Sequence, residues 1–190
     1  MIALTNFGDP AVLLPIAFVL FLWLMHLPKK RAALWWLVAL ALCVAVTAFL
    51  KIDLYPCPQS AQLRNPSGHV SLSVLVYGAI ATLIAAQFGH RQRLAAIGGI
   101  AALVIAIALS RILLDAHTAL EVVFGLGIGL GSLAAFATHY RPQPAAKFPL
   151  RRLLLVTLAV MVIFHGDTLY AEDFLHHLND YMGLEPIACL

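Results

Sequence analysis

Residues 66–88 read PSGHVSLSVLVYGAIATLIAAQF, and the reading of this stretch decides the fold. From Val70 to Phe88 it holds no charged residue. About 20 such residues are what a helix needs to cross the hydrocarbon core of a bilayer. A barrel strand would alternate apolar and polar residues, and this run does not. Its N-terminal mouth, Pro66-Ser67-Gly68-His69, is made of residues that start helices and let ligands approach the backbone. One stretch thus supplies a membrane span and a polar cluster at its edge.

Five further apolar runs flank it, giving Ala11–Leu27, Ala32–Leu50, Val70–Phe88, Leu94–Leu109, Thr118–Thr138 and Leu153–Phe164 in chain order. The totals agree. Of 190 residues, 62% are apolar and 11% charged, and the mean hydropathy is +0.92. Soluble domains carry roughly a quarter charged residues, and one of this size could not bury so much apolar surface. The composition leaves room for about six spans. It excludes disorder, collagen, a coiled coil and a disulfide-framework miniprotein. The expected fold is all-α, a polytopic six-transmembrane-helix bundle forming one domain over residues 1–190. The last run is short, and snorkelling by Arg151 and Arg152 extends its reach. Asp9-Pro10, rather than a basic region, precedes the first run, so an uncleaved helix is expected in place of a signal peptide.

Threading six spans assigns sides. Lys29, Lys30, Arg31, Arg91, Arg93, Arg141, Lys147, Arg151 and Arg152 fall on one face, nine of the 12 basic residues. By the positive-inside rule that face is cytoplasmic. Only Lys51, Arg64 and Arg111 fall on or near the outer face. Basic side chains at a hydrocarbon edge cost about 2.5–3.5 kcal/mol on insertion scales, so a site or a partner is their default explanation.

The outer polar residues converge. The second span ends at Lys51 and the third begins after Arg64-Asn65-Pro66-Ser67-Gly68-His69. The fourth ends at Ser110-Arg111 and the fifth begins near His117. About 40 residues separate His69 from Ser110, enough for two crossings back to the same face. Asn65-Pro66-Ser67 reads as a helix start, whose N–H groups and partial positive charge suit an anion. Lys51, Arg111 and Arg64 add charge, so the site favours a multiply charged oxyanion such as phosphate. His117 and Glu121 are spaced i, i+4 and are expected on one face of the fifth helix. A carboxylate on one imidazole nitrogen fixes the tautomer and sharpens the other for attack. His69, at the facing helix mouth, suits protonation of a leaving oxygen.

Pro66-Ser67-Gly68-His69, then Ser110-Arg111, five residues, His117, three residues and Glu121, resembles the type 2 phosphatidic acid phosphatase family. The motif region spans residues 51–121. The resemblance implies that His117 is the nucleophile, carrying the phosphoryl group as a phosphohistidine. It implies Glu121 as its orienting carboxylate and His69 as the general acid. Lys51, Ser67, Gly68, Ser110 and Arg111 would hold the phosphate, and no metal or other cofactor is implied. Two departures stand out. Pro58 occupies the place of the family's first-motif arginine, for which Arg64 is the substitute suggested by position, and Glu121 replaces an aspartate.

The function so implied is a membrane lipid-phosphate phosphatase. It would work at the outer face on undecaprenyl pyrophosphate, lipid A phosphate or phosphatidylglycerol phosphate. A lipid phosphotransferase with the same intermediate is an alternative, and so is a non-catalytic lipid-phosphate binder or transporter. The implied setting is multi-pass in the bacterial inner (plasma) membrane, with the site on its periplasmic or extracellular side. The implied partners are a phospholipid or isoprenoid-phosphate substrate and the bilayer itself; no nucleic-acid signature is present. Gly125, Gly127, Gly129 and Gly131 form two small-xxx-small pairs, read as packing within the bundle, with a homo-oligomer as the alternative. Trp23, Trp35 and Trp36 are expected near the cytoplasmic boundary. Cys43 lies within a span, whereas Cys57 and Cys189 share the outer face and are expected to pair.

Overall fold

Apolar runs without internal charge satisfy their backbone groups within helices. The structure, a computed structural model, describes residues 2–27, 30–54, 57, 63–140, 150–169, 175 and 181. It contains α1 (Ile2–Thr5), a 3₁₀ turn (Asn6–Gly8), α2 (Pro10–Met25), α3 (Arg31–Leu54), α4 (Gly68–Gln87), α5 (His90–Leu113), α6 (Ala119–His139) and α7 (Leu150–Ile163). No strand occurs among the described residues. Five segments are long and apolar enough to cross a membrane, namely Ala3–Met25, Arg31–Leu54, Gly68–Gln87, His90–Leu113 and Ala119–His139. α7, with 14 residues, rises only about 21 Å, short of a hydrocarbon core of about 30 Å. Among the described residues the count is therefore five, against the six expected.

α4 is the most buried of these segments, and it packs chiefly on α6, α5 and α3. Its close neighbour is α6. A Cβ at Gly125 would fall 2.6 Å from the Ser67 carbonyl oxygen, and one at Gly129 would fall 2.6 Å from that of Ser71. Only glycine lets the two backbones approach so closely. Gly127 and Gly131 have no such neighbour within 4 Å. One of the two small-residue pairs packs inside the bundle, and the other faces outward.

The outward faces carry Phe18, Leu34, Phe49, Leu130 and Val162, all well exposed. In water such a surface would aggregate; in a bilayer it meets lipid. Trp36, in the second turn of α3 after Arg31, turns its ring into the bundle. It is fully buried, donates its indole N–H to the Ala17 carbonyl at 3.0 Å and meets Phe136 edge-on. Trp23 is also buried, whereas Trp35 stacks on His139. An indole whose N–H finds a partner inside the bundle gains contact on every side.

The helices alternate in direction. Arg31, Arg91 with Arg93, and Arg151 with Arg152 begin α3, α5 and α7 at one end of the bundle. The opposite end gathers the N-termini of α2, α4 and α6 and the C-termini of α3 and α5, and the polar residues meet there. Leu54, Cys57 and Leu63, with Leu50 and Leu120 against them, form a small apolar cluster between the end of α3 and the start of α6. Cys57 is disulfide-bonded and Cys43 is a buried free thiol. The expected partner, Cys189, lies outside the described residues, as do Pro58, Arg141 and Lys147.

Candidate active site

The start of α6 organises the site. Thr118 is extended and serves as N-cap, with its hydroxyl accepting the Glu121 N–H at 3.2 Å. Glu121 completes a capping box by accepting the Thr118 N–H at 3.1 Å through Oε2. The same oxygen lies 3.0 Å from His117 Nδ1. The other oxygen, Oε1, accepts the N–H groups of Arg64 at 3.1 Å and Asn65 at 2.8 Å. The Glu121 carbonyl takes the Ser67 N–H at 3.1 Å. One residue thus joins the His117 ring, its own helix start and the loop leading into α4.

This corrects the helical placement of His117. The helix begins at Ala119, so His117 precedes the cap and lies in the α5–α6 loop. Its N–H and that of Ala116 both donate to the Arg111 carbonyl, at 3.2 and 3.1 Å. Asp115 turns the loop with φ of 53°, a left-handed conformation that aspartate tolerates better than most residues. The i, i+4 spacing therefore works through a capping box rather than through a helix face. Both His117 and Glu121 are buried.

An ionised carboxylate only accepts hydrogen bonds. Three of the four groups around this one are backbone N–H donors, so the proton of the His117 ring sits on Nδ1. In the neutral ring the lone pair is then on Nε2.

The remaining expected residues fall as follows. Lys51 lies in the last turn of α3, which runs on past Leu50, and its Nζ donates to Asn65 Oδ1. Its Cε lies 3.7 Å from where a Cβ on Gly68 would stand, so the ammonium stem crosses the start of α4. Ser67 is the N-cap of α4, yet its hydroxyl makes no cap bond. Ser67 Oγ and Arg64 Nε are both buried without a hydrogen-bond partner among the described residues. Burying such groups unpaired costs about 1–3 kcal/mol each, which a phosphate oxygen could offset. Pro66 stands before the cap instead of inside the first turn, because Gly68 takes that place.

Ser110 points elsewhere, its hydroxyl donating to the Ile107 carbonyl of its own helix at 2.6 Å. Arg111 Nη1 reaches Thr5 Oγ1 at 3.3 Å. His69 Nε2 lies 3.3 Å from Asp9 Oδ2.

Sequence reading missed the site contacts of Asn65, Thr118, Thr5 and Asp9. The Thr118-x-x-Glu121 spacing is a capping-box signature and was readable. Asp9-Pro10 reads locally as a helix start, but no local signal points from Asp9 or Thr5 to their contacts on α4 and α5.

A cavity of about 160 Å³ opens beside Lys51, Gly68 and His69. Pro10, Leu14, Val44 and Leu72 give it apolar walls. A larger cavity of about 480 Å³ lies between α4, α5 and α6 against Arg93, Ile97 and Leu130 and touches none of these polar residues. The smaller one is the candidate headgroup cavity, because Lys51 and His69 border it.

Comparison with known proteins gives the family. A protein of Klebsiella pneumoniae described as "Uncharacterized 22.5 kDa protein in cps region" is 30% identical over 144 residues, covering 73% of this chain and 68% of that one. No solved structure matches significantly. The model of the PAP2 superfamily matches residues 48–144, which take in Lys51, the loop into α4, and both histidines. The chain belongs to the PAP2 superfamily.

Proposed function

We propose that this protein is a membrane lipid-phosphate phosphatase that works through a phosphohistidine on His117. Family membership supports phosphatase-type activity. The observation that carries the finer reading is the Glu121 carboxylate, whose four neighbours leave the His117 lone pair on Nε2. In the proposed reaction Nε2 attacks phosphorus. The N–P bond forms as the P–O bond to the leaving group breaks, and the leaving oxygen takes a proton from His69. Water then attacks phosphorus, gives its proton to His69 and releases phosphate from His117. Lys51, Arg64, Arg111 and the N–H groups at the start of α4 stabilise charge on the phosphoryl oxygens.

The mixed cavity supports an amphiphilic substrate, with the headgroup at Lys51 and His69 and the chain along Leu14, Val44 and Leu72. Undecaprenyl pyrophosphate, lipid A phosphate and phosphatidylglycerol phosphate all have this form. The arginine-bearing helix starts lie at the end remote from the site, which supports a basic cytoplasmic face and an outward site in a bacterial inner membrane. In this reading α7, with Arg151 and Arg152 snorkelling, is the sixth span.

Phosphate release from a panel of lipid phosphates tests the proposal. His117→Ala is expected to lower it by about 1,000-fold or more. Unchanged turnover in the variant would remove His117 from its role.

A further inference from the structure

Asp9 lies outside every motif, yet its carboxylate is buried and three groups converge on it. Oδ1 accepts the Ala11 N–H at 2.8 Å, as the N-cap of α2, and the Leu169 N–H at 3.1 Å. Oδ2 faces His69 Nε2 at 3.3 Å. Capping needs only one oxygen, and asparagine or serine would serve as well. The second oxygen is turned to the histidine.

The segment is held there firmly. The Phe7 carbonyl accepts the Tyr77 hydroxyl at 2.7 Å, and Thr5 accepts from Arg111. A Cβ at Gly8 would stand 3.5 Å from His69 Cβ and 2.7 Å from Ile107 Cγ2, so the backbone before Asp9 presses onto α4 and α5.

We propose that Asp9 is a positioning residue for His69, holding Nε2–H so that Nδ1 is the nitrogen that serves the leaving oxygen. This rests on the phosphatase reading of the same site. As the His117 N–P bond forms, the electron pair of the breaking P–O bond stays on the leaving oxygen. That oxygen takes the Nδ1 proton of doubly protonated His69. The ring is left neutral, with its remaining proton on Nε2 toward Asp9. When water attacks phosphorus, its proton returns to Nδ1 and the N–P pair returns to His117. Asp9 thus plays toward the acid the part that Glu121 plays toward the nucleophile.

Asp9→Asn isolates the effect, because asparagine keeps the cap and loses the acceptor facing Nε2. The purified full chain is assayed with dioctanoyl phosphatidic acid, whose alkoxide must be protonated to leave, and with p-nitrophenyl phosphate, whose phenolate leaves unaided. The loss of kcat on the lipid is expected to exceed the loss on the aryl ester by about tenfold. In a His69→Gln background Asp9→Asn should add nothing. Equal losses on both substrates, or additive losses in the double variant, overturn the proposal. If the unaltered protein hydrolyses neither substrate, the phosphatase reading fails by itself. The ¹⁵N spectrum of the His69 ring then decides for Asp9: a protonated Nε2 that shifts in Asp9→Asn supports it, and a bare Nε2 overturns it.

Discussion

The two histidines of the site are each paired with a carboxylate, but the pairs are built differently. His117 and Glu121 lie four residues apart, and a capping box brings them together. His69 and Asp9 lie on α4 and at the start of α2, and only the packed bundle joins them. The first pair takes its geometry from local backbone conformation, with the Arg64 and Asn65 N–H groups as its distant support. The second depends on how α1 and α2 seat against α4 and α5. A site with one locally fixed partner and one globally fixed partner should fail in two distinguishable ways.

The largest break should come at Glu121. Glu121→Gln replaces one acceptor oxygen with a donor that faces N–H groups. Phosphate release should fall by about 10–100-fold, with about 1–3 kcal/mol of stability lost. Glu121→Asp should sharpen the point. One methylene shorter, it can keep His117 only by giving up the Arg64 and Asn65 N–H groups, so thermal stability should drop more than kcat. A variant that loses kcat and keeps its melting temperature would contradict this. Next comes Gly125→Ala, whose Cβ would press on the Ser67 carbonyl. Activity should fall by about tenfold or more as α6 moves off α4. Gly127→Ala, with nothing near it, should behave as the unaltered protein. Equal effects at the two glycines would refute the packing assignment. Thr118→Ala removes the cap and should cost about 1 kcal/mol, read by thermal unfolding and restored by serine. The smallest change belongs to Asp115→Gly, which suits the left-handed turn and should leave activity within about twofold.

Much of this architecture was legible in the sequence, for physical reasons that also mark where legibility stops. Five spans could be read because a bilayer demands long apolar runs, and Val70–Phe88 meets that demand without context. The sixth, Leu153–Phe164, counts as a span only with Arg151 and Arg152 beside it, since a run below the bilayer thickness depends on what flanks it. His117 was placed on a helix because its spacing to Glu121 is helical; the extended Thr118 between them breaks that inference. The sequence places Trp36 near the Arg31 end of its span, but that its indole turns inward is decided by the Ala17 carbonyl on another helix. In sequence Asp9 marks a first run not preceded by a basic region. Its contact with His69 crosses 60 positions of chain, and no local pattern encodes that.

The Thr5–Asp9 segment has a consequence for biogenesis. It precedes its partners His69, Tyr77, Ile107, Arg111 and Leu169 in the chain, so they emerge after it. A nascent chain stalled in the translocon before α4 would hold its first wall with nothing to lean on. The contacts that fix Asp9 would therefore close only once the chain has emerged as far as Leu169.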